Sequence, residues 1–108
     1  MTRLFRFAEQ LRQRNITERE QIATELLRVH LTRRELQRRF GSPAAPDEST
    51  LYRVMKETTE PRLGYFPGDE KWFAELFDAG KGLDLSEELE ELFRKDRSGV
   101  VITPKYLV

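Results

Sequence analysis

Apolar residues in this chain recur three and four positions apart, and this spacing limits its fold more than any other feature. Side chains at such intervals share one face of an α-helix, whereas a half-buried strand would need strict alternation. Glycines and prolines that end helices stand between these stretches, as at Gly41, Pro61 and Gly80. The spacing therefore predicts a mainly α fold. A first helix is expected over Thr2–Arg14, with Leu4, Phe7, Ala8 and Leu11 facing inward.

Two capping-box spacings follow the first helix. Thr17 with Glu20, and Thr32 with Glu35, each place a hydroxyl and a carboxylate three residues apart, where they can satisfy free backbone donors of a first helical turn. They predict a second helix that starts at Thr17 and a short third helix that starts after Thr32. Gly41 is the expected end of the third helix.

Two prolines in Ser42–Pro46 predict a loop, after which Asp47 or Ser49 can cap a fourth helix that ends near Thr58. Beyond it, Glu70–Ala79 and Ser86–Asp96 show helical spacing. The segments Arg62–Phe66 and Gly99–Thr103 are rich in aromatic or β-branched residues. We therefore expect extra C-terminal helices and at most a small two-stranded β-ribbon made of those two segments.

Charge is unevenly distributed along the 108 residues, a length typical of about one domain. The first 56 residues carry 12 basic and 7 acidic side chains, and the remaining residues carry 7 basic and 12 acidic ones. The first part can face a polyanion, which would repel the second. We expect one domain over 1–108, with a helix-turn-helix unit at 17–58 and an acidic C-terminal part at 62–108.

A helix-turn-helix unit needs a last helix with one apolar face and one face that reaches DNA. At about 100° per residue, the polar side chains of helix 47–58 gather opposite its apolar stripe. Those predicted to meet base edges in the major groove are Ser49, Tyr52, Arg53 and Lys56. Those predicted to hold phosphates from the preceding helix are Arg33, Arg34, Arg38 and Arg39.

The stretches from His30 to Gly41 and from Ser49 to Lys56 resemble the winged-helix domain of bacterial regulators of the ferric uptake regulator type. In that family a brace helix containing Leu-Thr and Glu-Leu precedes a recognition helix with a Thr-Val-Tyr-Arg motif. Tyr52 and Arg53 stand where the family's tyrosine and arginine meet DNA. The chain lacks the family's metal sites, because it has one histidine and no cysteine. The resemblance implies a DNA-binding module and no metal sensor.

No catalytic residue, metal site or cofactor is predicted. The chain has no Cys-His pair, Gly-rich phosphate loop or nucleophile elbow. His30 is expected to lie at a helix C-terminus, where the helix dipole favours a partial positive charge. The sequence also lacks an apolar run long enough to span a bilayer. We expect a cytoplasmic protein that is not an enzyme and has no membrane partner.

These patterns favour a small transcription regulator that binds duplex DNA as a homodimer. A second function stays open, that of a protein-interaction module such as an adaptor or an inhibitor. The net charge is zero, whereas dedicated DNA-binding domains are usually basic. The loop Ser42–Pro46 is also longer than the tight turn of the simplest helix-turn-helix units.

Overall fold

The computed structural model describes residues 4–94, and their side chains as far as residue 92. Within that range the chain forms five α-helices and no strand, which confirms the prediction of a mainly α fold. None of these helices is both long enough and apolar enough to cross a membrane. The helices are α1 (Phe5–Arg12), α2 (Arg19–Phe40), α3 (Glu48–Leu63), α4 (Glu70–Ala79) and α5 (Leu85–Arg94).

Helix α2 is one continuous helix of 22 residues where the sequence predicted two. The predicted break after Thr32 is wrong, because Thr32 is buried in mid-helix and its hydroxyl donates to the carbonyl of Arg28. A threonine can satisfy its hydroxyl in this way without ending a helix. The predicted cap at Thr17 is also wrong. The helix starts at Arg19, after Glu18, and no side chain caps that end.

The buried face of α2 explains why the helix does not break. Leu26, Val29, Thr32 and Leu36 follow one another at helical spacing, and all four are buried. No glycine or proline interrupts this segment, and the helix stops only at Gly41, which takes the left-handed conformation with φ of 70°. The capping signal at Thr32 is local and weak, whereas burial acts along the whole face. The loop that starts at Gly41 is therefore the connection between α2 and α3.

Helix α3 starts where one of the two expected caps places it and ends later than predicted. The carboxylate of Asp47 accepts the backbone N–H of Thr50 at 2.7 Å. The helix then continues through Pro61 to Leu63. Pro61 lacks the N–H that would bond the carbonyl of Glu57, but both residues are exposed and this carbonyl can be hydrated. A proline in the last turn therefore shortens the hydrogen-bond ladder without ending the helix.

The predicted β-ribbon is absent from the described residues. The segment Arg62–Phe66 forms the end of α3 and the start of the loop to α4. Its expected partner, Gly99–Thr103, lies outside the described residues. Helix α4 has the predicted bounds, and α5 covers most of the predicted helix Ser86–Asp96, whose last two residues are also outside the described range.

Aromatic side chains join α4 to α1 and to the loop after α3. Phe66 stacks on Trp72 with the ring centroids 5.2 Å apart, and it meets Phe73 edge-on at 5.1 Å. The Trp72 ring covers Gly68 so closely that a Cβ atom there would come within 1.7 Å of the ring, which leaves room for glycine alone. The indole N–H of Trp72 donates to the carbonyl of Gln10 at 3.2 Å, and this bond ties α1 to α4.

Arg28 is the largest fully buried side chain, with 1 % of its surface exposed. Its guanidinium donates to both carboxylate oxygens of Glu25, to the hydroxyl of Thr59 at 2.9 Å and to the carbonyl of Gly64 at 3.1 Å. Its face lies 5.4 Å from the centroid of the Phe66 ring. One side chain thus joins α2 to α3 and to the following loop. Burial raises the pKa of Glu25, and the hydrogen bond from Arg28 opposes that rise.

Replacing Arg28 by Met is expected to lower the free energy of unfolding by about 3–5 kcal/mol, because the carboxylate of Glu25 would be left buried without a partner. The double variant Glu25→Leu/Arg28→Met is expected to lose less than the sum of the two single losses, since it buries no unpaired charge. Urea unfolding of the four proteins measures both effects. Additive losses of under about 1 kcal/mol for each single variant would contradict this role for the pair.

Candidate nucleic-acid interface

A polar groove of about 620 Å³ runs between the C-terminal halves of α2 and α3. Four arginines and two glutamates are among its lining residues, so the lining carries an excess of positive charge. We call it the arginine groove. Its lining residues are Leu31, Arg34, Glu35, Gln37, Arg38, Arg39, Glu57, Thr58 and Arg62.

Ion pairs line this groove, and one of them joins the two helices. Glu35 accepts from Arg38 and from Arg39, the latter at 2.7 Å. Arg39 also reaches across to Glu57 of α3 at 2.9 Å, and Arg53 lies 3.6 Å from the same carboxylate. Two carboxylates are therefore shared by three guanidiniums. Together these five side chains carry one positive charge in excess.

The hydrogen bonds within these ion pairs shift the pKa values of Glu35, Arg38 and Arg39 so that all three side chains stay charged. Hydrogen bonds from Arg38 and Arg39 lower the pKa of Glu35 to about 2, so this carboxylate stays ionised at neutral pH. Hydrogen bonds to Glu57 and Glu35 raise the pKa of Arg39, and those to Glu35 raise the pKa of Arg38. These charged side chains suit the groove to binding by charge.

Two further arginines of the groove, Arg34 and Arg62, have no side-chain partner among the described residues. Among the described residues, no ion pair and no side-chain hydrogen bond involves Arg34 or Arg62, and both are exposed. Arg53 stands beside the groove on the outer side of α3, with 59 % of its side chain exposed. These guanidiniums can each offer a forked pair of donors to an oxyanion, a geometry that matches phosphate.

The other side chains predicted to read bases lie towards the start of α4 and not towards the arginine groove. The hydroxyl of Ser49 donates to the carboxylate of Glu70, and the hydroxyl of Tyr52 donates to the carbonyl of Gly68 at 3.3 Å. The ammonium group of Lys56 lies over the Tyr52 ring, 5.4 Å from its centroid. Ser49, Tyr52 and Lys56 thus lie on the side of α3 that faces the start of α4. The structure brings only Arg53 of the predicted base-reading set near the arginine groove.

Arg33 also lies outside the arginine groove. Its guanidinium donates to the carbonyl of Gly80 at 2.7 Å and to that of Leu83 at 3.4 Å, and burial lowers its pKa. It therefore satisfies carbonyls at and beyond the end of α4, where a helix leaves backbone acceptors without donors. Arg28, which could have extended a surface patch, is fully buried.

A second, mostly apolar groove of about 520 Å³ lies on the side of α3 near Arg33. We call it the apolar groove. Its floor is formed by Leu51, Ala74 and Phe77, and charged side chains stand at its rim. The remaining lining residues are Arg33, Pro43, Ala44, Ala45, Asp47, Glu48, Asp78, Lys81 and Gly82.

His30 lies in the middle of α2 and not at a helix end, which corrects the sequence analysis. Partial burial lowers its pKa, the nearby Arg34 and Arg33 lower it further, and Asp84 acts in the opposite direction. At neutral pH the imidazole is therefore uncharged. Within residues 4–94, no group of three or more His, Asp or Glu side chains is placed to hold a metal ion.

Arg62 is the cation of the groove that sequence reasoning missed. The sequence assigned it to a strand, because Pro61 was interpreted as a firm end of the fourth helix. A helix that runs to Leu63 instead places Arg62 one turn beyond Thr58, on the same side of α3. The only signal that could have revealed this is the four-residue spacing of those two residues.

Comparison of the chain with protein-family models, with curated proteins and with solved structures found no match. The resemblance to the winged-helix half of the ferric uptake regulator family thus stays a prediction.

Arg33 and Arg34 are adjacent in sequence but are expected to respond differently to substitution by alanine. Arg33→Ala should lower the free energy of unfolding by about 1.5 kcal/mol, because the carbonyls of Gly80 and Leu83 lose a charged donor. Arg34→Ala should leave stability within about 0.5 kcal/mol of the parent. Urea unfolding of both variants tests the difference, and equal losses would show that Arg33 has no such structural role.

Proposed function

We propose that this protein binds nucleic acid, and DNA in the first place, by holding the phosphate backbone in the arginine groove. The observation that carries the proposal is that Arg34 and Arg62, both exposed and without an ion pair among the described residues, lie in a groove that Arg38 and Arg39 also line. Phosphate contacts of this kind supply most of the affinity in sequence-independent DNA binding. Three of the four arginines predicted to hold phosphates line this groove, and Arg33 is the exception.

Backbone binding has better support than base reading by α3. A recognition helix must present donors and acceptors to base edges along its exposed side. On that side Arg53 already lies 3.6 Å from the carboxylate of Glu57, an ion pair that contact with a base edge would have to replace. Ser49 and Tyr52 would first have to give up hydrogen bonds within the chain. A winged-helix mode and a role in transcription therefore depend mainly on the sequence pattern.

The homodimer expected from the sequence fits this proposal. Each groove offers few phosphate contacts, and two copies related by a two-fold axis would double their number on one duplex. The uneven distribution of charge along the chain also fits, because the positive groove draws on residues 34–62 and the acidic residues lie mostly after it.

Binding of labelled duplex DNA, followed by fluorescence anisotropy at about 50 mM and about 200 mM salt, tests the proposal. We expect affinity to fall steeply with salt, because phosphate binding releases counterions. The variant Arg34→Ala/Arg38→Ala/Arg62→Ala should bind much more weakly, and its dependence on salt should flatten by about one unit of log–log slope for each lost contact.

A matched control removes three exposed cations from another part of the molecule. Arg6→Ala/Arg12→Ala/Lys71→Ala changes the net charge by the same amount on α1 and α4, away from the lining of the groove. We expect it to bind nearly as the parent does. Equal losses in the two triple variants would mean that only net charge matters, and absence of binding by the parent at low salt would contradict the proposal.

The apolar groove favours protein binding as the second candidate function. Its mostly apolar lining and open shape suit the apolar face of an amphipathic helix from a partner protein. Ala74 lies on its floor, so Ala74→Arg is expected to block such a helix while the arginine groove stays intact. Selection of helical peptides from a display library against the parent, followed by titration of the variant, measures this. Selected peptides that bind both proteins equally would contradict it.

A further inference from the structure

Tyr65 is the most exposed of the large hydrophobic side chains described, with 78 % of its surface exposed. The backbone on both sides of it is anchored. The carbonyl of Gly64 accepts from the buried Arg28 at 3.1 Å, and the N–H of Phe66 donates to the carboxylate of Glu60 at 2.9 Å. The ring of Phe66 is buried against Trp72. The exposed ring of Tyr65 therefore projects from a fixed position on the surface.

This fixed position lies at one end of the arginine groove. Arg62, three residues before Tyr65, lines the groove on α3. Leu31 lines it on α2, one turn after Arg28, which holds the carbonyl of Gly64. Gly64, just before Tyr65, therefore lies near the end of the groove that Leu31 lines on α2 and Arg62 lines on α3. Tyr65, whose ring is exposed, thus follows in the chain directly after the residues at one end of the groove.

We propose that the arginine groove takes a single strand of DNA and that the Tyr65 ring stacks on one of its unpaired bases. This inference depends on the proposed nucleic-acid binding and names the form of the ligand. Proteins that bind single strands combine a cationic groove for the backbone with aromatic rings for base faces, because every base offers a flat π surface. In a duplex these faces are covered by neighbouring base pairs, so the ring would have no base to contact.

The shape of the surface supports the same ligand. The cations line a depression between two helices, which can receive one backbone, whereas a duplex is best met by a helix that projects into its major groove. Four arginines and two glutamates line this depression, so its lining has an excess of positive charge.

Anisotropy titrations of labelled oligo-dT of about 20 nucleotides, and of a duplex of equal length, test the inference. The parent is expected to bind the single strand more tightly than the duplex. Tyr65→Ala should weaken single-strand binding roughly 5- to 150-fold and leave duplex binding unchanged, whereas Tyr65→Phe should retain single-strand binding. The salt dependence should stay the same in both variants, because neither removes a cation.

Phe5→Ala is the matched control, since Phe5 is another exposed aromatic residue but belongs to α1. It should bind both forms of DNA as the parent does. A preference of the parent for duplex, or single-strand binding that survives in Tyr65→Ala, would overturn the inference and leave the proposed function standing. If the parent bound neither form, the proposed function would fail, and this inference with it.

Discussion

The arrangement of α2, α3 and the loop after α3 depends on the ion pair and the hydrogen bonds of the buried Arg28 guanidinium. A charge taken out of water must have its partners in place, and Arg28 finds them in a carboxylate, a hydroxyl and a backbone carbonyl from three different segments. Glu25 supplies the opposite charge one turn away on the same helix. Thr59 and Gly64 then define how α3 lies against α2 and where it ends.

The arginine groove follows from that arrangement. With Thr59 and Gly64 held by Arg28, the last two turns of α3 lie beside the second half of α2, and the ion pair between Arg39 and Glu57 can form across the gap. The continuity of α2 matters equally, because a break after Thr32 would have turned Arg34 and Arg38 in another direction. A buried ion pair and an unbroken helix thus position exposed guanidiniums that contribute little to stability themselves.

Parts of the fold could be predicted because several local signals agreed. For α4, the stop at Gly80 and a single apolar face both indicate the same helix. For α2, the signals conflicted. Thr32 and Glu35 have the spacing of a helix start, but the same spacing occurs inside a helix, and only burial distinguishes the two cases. Local sequence carries no information about that burial.

The site was predictable to a similar extent. Arg34, Arg38 and Arg39 could be placed on an exposed face by helical spacing alone. The contacts of Arg33 and Arg28 could not be predicted in this way. Each has partners about 30 to 50 positions away that meet it only in the folded chain. Tyr52 was predicted to meet base edges of DNA, yet its hydroxyl donates to the carbonyl of Gly68 in the loop before α4. Long-range contacts, which sequence spacing does not reveal, determine where each of these side chains lies.

On our proposal, the surface between α2 and α3 is where this protein binds DNA. Titration of the isotope-labelled protein with unlabelled short DNA, followed by backbone amide NMR shifts, tests this proposal most directly. Binding there should shift the amide signals of residues 31–39 and 57–65, with little change around Ala44, Ala74 and Gly82 of the apolar groove. Shifts confined to the apolar groove, or no shifts at low salt, would contradict it.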